Sequence, residues 1–208
     1  MSASTATIAG VSRTPYAVAA RQLLRDTLFD AARDALQHRS WADVTMADIA
    51  SAAGVSRQTL YKEFGSRDEF SQAFVIREGE RFLDGVEQAV RANFDDPRAA
   101  IAGALEVFLS AAGEDPLVRI LLSDDGTGGM LPFVTTQSMP VVAWAGQRIA
   151  AVVREGWPQA SEADAQLLAD ALVRLAISYV TVPKGAPEAT AAELATLLGP
   201  FVERALAD

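Results

Sequence analysis

Twenty residues constrain this chain more than any others. From Thr45 to Phe64, two short helical segments bracket Ala53-Gly54-Val55, with a hydroxyl residue ahead of each (Thr45, Ser56) and Gly65 after the second. Serine and threonine accept a hydrogen bond from the open amides of a helix start, and glycine takes the left-handed conformation that ends a helix. Asp48 adds an acid to the first turn behind Thr45. The spacing predicts helix, tight turn, helix, an arrangement that crosses two helices steeply and leaves the second exposed. Ile49, Ala50, Val55 and Leu60 are its expected shared core, and the second helix turns Arg57, Gln58, Thr59, Tyr61 and Lys62 outward. Such side chains hydrogen-bond base edges and phosphates in a major groove. On spacing alone, a short solvated helix in an all-helical protein is the competing reading.

The rest of the chain is helical in the same periodic sense. Leu24, Leu28, Ala31 and Ala35 share one face of a helix over about 20–38, with Trp41 expected to pack back onto it. Ser66 to Glu69 reads as a capping box that opens a long helix to about Asn93, with Phe70, Phe74, Ile76 or Arg77, and Leu83 inward. Pro97 starts the next helix and Gly113 to Pro116 ends it. A short apolar helix is expected over Leu117–Leu122, a glycine-rich loop over Ser123–Gly129, then helices from Pro132 to about Arg154, Glu162 to about Val180 and Glu188 to Ala207. No segment alternates like a strand and no repeat is present. The expected fold is all-α with about nine helices.

Composition narrows the chemistry. The absence of cysteine removes disulfides, thiolate metal sites and cysteine nucleophiles, and the single histidine, His38, leaves nothing for a multi-histidine zinc site. A nucleophile–histidine–acid set would have to use His38 with Asp34 at a solvated helix end. Asp124-Asp125 beside glycines reads as a solvated turn, and Gly126 to Gly129 lacks the lysine and the preceding strand of a phosphate cradle. No enzyme activity, catalytic residue, metal or cofactor is therefore expected. Residues 1–19 are rich in Ser, Thr and Ala and read as a flexible tail rather than a secretory signal, with Arg13 available to a minor groove if the tail has a role at all. No apolar run reaches the ~18 residues of a membrane span, so a cytoplasmic protein with no membrane partner is expected. The net charge is −9, but residues 1–70 carry eight basic and eight acidic side chains, so the whole excess lies in residues 71–208. That distribution permits nucleic-acid binding by the first part of the chain without requiring it.

The ordered segment from Thr45 to Phe70 (Thr, Ile-Ala, Ala-Gly-Val-Ser, Thr-Leu-Tyr, Phe-Gly-Ser) resembles the DNA-binding segment of the TetR family of repressors. The likeness covers about residues 20–75. Ser40 stands where the family commonly has glycine, and Arg67 where it has lysine. The resemblance implies a helix-turn-helix DNA-binding domain over 20–66 and a ligand-binding and dimerisation domain over 67–208. It assigns Arg57, Gln58 and Thr59 to bases and Thr45, Ser56, Tyr61, Lys62 and Arg67 to the DNA backbone. Glu63 is an acid on the same face, expected to point aside or to pair with Lys62 or Arg67.

The same resemblance implies a homodimer through the last two helices, a double-stranded operator and a small-molecule effector. Leu168, Leu172, Leu175 and Tyr179 form one stripe, and Leu194, Leu197, Leu198, Phe201 and Val202 another, with small residues such as Ala171, Ala176, Ala191 and Ala195 between the large ones. These stripes suit a dimer interface and equally an intrachain core. Pocket candidates are Phe94, Phe108, Leu109, Leu122, Phe133, Trp144, Arg148 and Tyr179, chosen as large apolar groups with few polar partners. Ionisable residues are sparse there, so the expected effector is lipophilic, with Arg148 available to a carboxylate. The alternative function is an all-helical small-molecule-binding protein without sequence-specific DNA binding.

Overall fold

The computed structural model describes residues 16–115, Val118 and 130–206. Among them are nine α-helices, α1 (Tyr16–Leu36), α2 (Met46–Ala52), α3 (Arg57–Phe64), α4 (Arg67–Arg91), α5 (Pro97–Glu114), α6 (Leu131–Val134), α7 (Met139–Gly156), α8 (Glu162–Thr181) and α9 (Pro187–Leu206). A single 3-10 turn, Trp41–Asp43, follows α1, and the described residues contain no strand. Apart from Val118, the helix expected over Leu117–Leu122 and the loop Ser123–Gly129 lie outside the described residues, as does Arg13.

The helix ends are set by the side chains that cap them. Thr45 accepts from the Asp48 amide while the Asp48 carboxylate accepts from the Thr45 amide, a complete capping box. Ser56 caps α3 through the Thr59 amide, and Gly54 and Gly65 hold the positive φ values of 69° and 79° that turn the chain after α2 and α3. At Ser66 the expected box is one-sided, because the hydroxyl accepts from the Glu69 amide and donates to the Glu69 carboxylate. Helix α1 begins at Tyr16, inside the segment read as a tail, since the alanines at 17, 19 and 20 let the helix propagate backward. The single helix expected from Pro132 to Arg154 is two. Thr135 leaves the helical region at φ −122°, ψ −92°, and Pro140, with no amide to give a preceding carbonyl, falls in the first turn of α7.

Two apolar cores result. The first gathers Leu28, Phe29 and Leu36 of α1, Trp41, Ile49, Leu60, Phe64 and the start of α4 through Phe70 and Phe74. Trp41 stacks parallel on Phe70 at 6.2 Å between ring centroids, so the turn does pack back as its sequence predicts. The second core takes Leu83, Val86 and Val90 of α4, with residues of α5, α7, α8 and α9. In it α5 packs between α4 and α9, and α7 packs between α4 and α8. The cores therefore meet within α4, between Val75 and Leu83. Met130 and Phe133, at and inside α6, join the first core, so a piece of the C-terminal part of the chain closes over the helix-turn-helix unit.

Candidate nucleic-acid interface and cavity

Helix α3 is amphipathic over only two turns. Leu60 and Phe64 are buried against α1 and α4, which fixes the helix about its axis and leaves Arg57, Gln58 and Lys62 exposed. Thr59 and Tyr61 are half-buried at the edges. The Ser56 and Thr59 hydroxyls are paired at 2.8 Å, and the Arg57 guanidinium lies 5.2 Å from the Tyr61 ring. Thr45 is exposed at the start of α2. The eight residues assigned to DNA thus fall on the starts of α2 and α4, on α3 and on its cap. Arg67 differs from expectation. Its guanidinium donates to the Trp41 carbonyl and stacks on the Trp41 ring at 4.6 Å, so the residue clamps the 3-10 turn onto α4 instead of standing free for a phosphate.

Two acids on this side of the molecule are neutralised in place. Burial opposes ionisation of Glu63, but hydrogen bonds from Arg25 and Arg21 of α1, reinforced by their charges, hold its carboxyl below the usual range. The partners are arginines of α1, not the expected Lys62 or Arg67; periodicity within α3 carries no signal for a contact to α1. The Thr45 amide and hydroxyl, with Arg39 at 3.3 Å, hold the Asp48 carboxyl low as well. Neither acid presents an unpartnered charge to an approaching phosphate.

The second core encloses a cavity of about 170 Å³ lined by α4, α5, α7 and α8. Its α4 wall runs from Val75 to Val90, about 22 Å of helix at 1.5 Å per residue. Its lining is apolar apart from Glu78, Asp115 and Thr181. Of the candidates, Phe108 and Trp144 line it. Phe94 instead sits edge-on to the Trp157 ring at 5.5 Å, and it is Trp157 that reaches the cavity. Phe133 belongs to the first core, where the break before α7 lets α6 fold over α4. Leu109 is buried and Tyr179 packs against the second core, neither lining the cavity, and Leu122 lies outside the described residues.

Arg148 is not among the residues that line the cavity. It reaches across from α7 to Asp84 at 2.9 Å and Glu87 at 2.6 Å on α4, outside the cavity. Burial works against its charge, but the Asp84 hydrogen bond and the Glu87 charge override that and raise its pKa. Its place is a strut between α4 and α7. The lining groups absent from the expected set are mostly aliphatic, such as Val86, Leu105 and Ile149, with Phe82 and Trp157 and two acids, Glu78 and Asp115. Aliphatic residues on helix faces carry no signal that separates cavity wall from packed core. Glu78 stands one turn beyond Phe74 on the inward face, a spacing that does mark it as buried.

In α8 and α9, Leu168, Leu172, Leu194 and Val202 are buried within the chain, and Leu175, Tyr179, Leu198 and Phe201 are half-buried. The faces left open carry Leu167, 58% exposed, and Leu197, 69% exposed. No helix among the described residues is long and apolar enough to cross a membrane, and no cluster of three or more His, Cys, Asp or Glu residues there is arranged to hold a metal ion.

Residues 28–74 match the family model for bacterial regulatory proteins of the tetR family, and residues 96–200 match that for the C-terminal domain of the bacterial tetracyclin repressor. The chain is 41% identical over 204 residues to the HTH-type transcriptional regulator AlkX of Mycobacterium tuberculosis, covering 98% of this chain and 97% of that protein. Among solved structures it is similar to the TetR family repressor AlkX of Dietzia sp. strain DQ12-45-1b, implicated in biodegradation of n-alkanes. That match has a TM-score of 0.75 and 31% identity over 88% of this chain and 96% of that one. The fold also matches RolR in complex with resorcinol, with a TM-score of 0.58 at 18% identity, covering 92% of this chain and 97% of that one.

Proposed function

Because this chain belongs to the TetR family of bacterial transcriptional regulators, we propose that it represses transcription by binding a palindromic operator as a dimer and leaves it when a lipophilic effector fills the cavity. The observation that carries the reading is α4. It is the helix whose first half is built into the helix-turn-helix core and whose second half walls the cavity. A ligand that spreads the cavity wall acts on one end of a rigid rod whose other end seats α3.

In this reading Arg57, Gln58 and Thr59 meet base edges, and Thr45, Ser56, Tyr61 and Lys62 meet phosphates. Arg67, engaged by Trp41, holds the start of α4 in position. Two recognition helices related by a dimer axis through α8 and α9 read half-sites about one DNA turn apart, ~34 Å. An apolar cavity wall supports a lipophilic effector, and the similarity to a repressor implicated in n-alkane biodegradation supports one with an aliphatic chain.

The test is reciprocity. Operator is selected from a genomic pool, and aliphatic compounds are then screened by thermal shift. An effector that favours the released state by ~1 to 3 kcal/mol lowers operator affinity about 5- to 150-fold, and saturating operator must lower effector affinity by the same factor. Equal effector affinity with and without operator would mean that cavity and DNA face are uncoupled. Failure to select any DNA would favour the alternative, a small-molecule-binding protein without sequence-specific DNA binding.

A further inference from the structure

Arg21 of α1 stands beside α3 and is held there by an acid of that helix. Its Nε–H is shared between Oε1 and Oε2 of Glu63, at 2.9 Å to each. Arg25, one turn further along α1, gives Nη1 to Oε1 of the same carboxylate at 2.9 Å. The Arg25 guanidinium also lies 4.5 Å from the Phe64 ring centroid and 5.6 Å from that of Phe29. The two arginines therefore differ in what they have left to give. Arg25, with a side chain 29% exposed, is pinned against the aromatic core, whereas Arg21, 66% exposed, is fastened through Nε.

An arginine that serves only to cancel a carboxylate meets it best fork to fork, two nitrogens on two oxygens. Arg21 does not. Its Nη1 and Nη2, which carry four of its five N–H donors, make no hydrogen bond among the described residues. Those four donors lie in one plane, in the arrangement that matches the oxygens of a phosphate. Glu63 itself is 10% exposed beneath the two guanidinium groups, so an approaching anion meets the arginines before the acid. Two positive charges on one carboxylate leave one positive charge in excess at this edge of α3. The edge is that of Thr59, which precedes Glu63 by four residues and so lies one turn away on the same side, and exposed Lys62 adjoins it.

We propose that Arg21 binds the DNA backbone, its Nη1 and Nη2 donating to one phosphate in each half-site, with Glu63 as the positioning residue that aims the fork and Arg25 as the anchor of Glu63. The proposal rests on the reading of α3 as the helix that enters the major groove, and it extends the contact surface to α1. A guanidinium already ordered by a carboxylate loses less rotamer freedom when it takes up a phosphate, which gives an acid near the DNA surface a use.

The experiment measures operator affinity by fluorescence anisotropy at several salt concentrations for the wild type, Arg21→Ala, Glu63→Gln and the double variant. Glu63→Gln removes the acid and keeps an amide oxygen to accept from Nε, so comparing Glu63→Gln with the double variant isolates Arg21 from repulsion by Glu63. In that comparison, loss of Arg21 should weaken binding about ten-fold for each half-site, the factor for one hydrogen bond to a charged group, on every sequence alike. The salt slope should fall by about one for each half-site. A scan with methylphosphonate, which replaces one charged oxygen of a single phosphate by methyl, gives a readout that a structural role would not move. One position in each half-site should weaken the wild type and leave Arg21→Ala unaffected. If loss of Arg21 changes neither affinity nor slope in the Glu63→Gln background, Arg21 only neutralises Glu63 and the proposal is overturned while α3 remains the reading helix. A scan in which wild type and Arg21→Ala respond alike at every position overturns it too. If no DNA is selected at all, the DNA-binding reading itself fails. Arg21 belongs to the exposed start of α1, so its loss leaves the first apolar core intact, and coincident thermal melts of wild type and variant check this.

Discussion

Arg25 of α1 places Nη1 2.9 Å from Oε1 of Glu63 on α3, and the same guanidinium lies 4.5 Å from the centroid of the adjacent Phe64 ring. One side chain thus packs on the back of the recognition helix and, with Arg21, neutralises an acid near the expected DNA surface. Arg25→Ala should lower stability by about 1 to 2 kcal/mol, read by urea unfolding, through lost packing as much as lost charge. It should also weaken operator binding, because it leaves the Glu63 charge to Arg21 alone. Adding Glu63→Gln should restore DNA affinity without restoring the lost packing; if affinity stays low in the double variant, repulsion by Glu63 is not the cause.

Gln58 and Lys62 are both exposed on α3, but the proposed roles differ in kind. Gln58→Ala should cost on the order of 1 to 3 kcal/mol and relax preference at one base pair, whereas Lys62→Ala should weaken all sequences and reduce the salt slope by about one. Anisotropy titrations on operator variants at several salt concentrations separate them. Uniform losses from both variants would contradict the assignment.

Leu167 and Leu197 are the large apolar side chains that α8 and α9 leave most open. If these faces form the dimer, Leu197→Glu should shift the protein toward monomer in light scattering at micromolar concentration, with helicity retained, and operator affinity should fall with it. A Leu197→Glu variant that remains dimeric places the interface elsewhere.

Ala104 is buried in the cavity wall. Ala104→Phe puts a ring into a space of about 170 Å³ and should abolish the thermal shift given by aliphatic ligands while leaving operator binding in their absence within a few-fold. An undiminished ligand shift would mean that binding occurs outside this cavity.

Acid should act on two carboxyls in opposite senses. The Glu63 carboxyl is held low, so its stabilising contribution is present above the ordinary value of 4.5 and is lost as pH falls through the depressed value. Burial pushes the Glu78 carboxyl up, against the attraction of Arg33, Arg77 and Arg81 and with added repulsion from Asp115. Its ionisation therefore costs stability in full above the raised value and not at all below 4.5. The stability of Glu78→Gln relative to wild type should be most favourable at neutral pH and decline as pH falls through the raised value. Thermal melts from pH 7 to pH 4 check this, and a flat difference would show that Glu78 titrates normally.

The helical class, the helix-turn-helix with its caps at Thr45 and Ser56, its glycines at 54 and 65 and its family were all legible in order and spacing, because caps, turns and apolar periodicity are local and each residue type has few alternatives there. The outward residues of α3 followed from the same logic, since burying Leu60 and Phe64 decides which way the others point. Tertiary structure alone decided which arginines neutralise Glu63, that Arg67 belongs to Trp41 and Arg148 to α4, and which apolar residues wall a cavity rather than fill a core. Those outcomes depend on where helices distant in sequence come to lie. A long charged side chain reaches several partners, and a leucine packs equally well against a neighbour or around a void, so neither carries its destination in its own position along the chain.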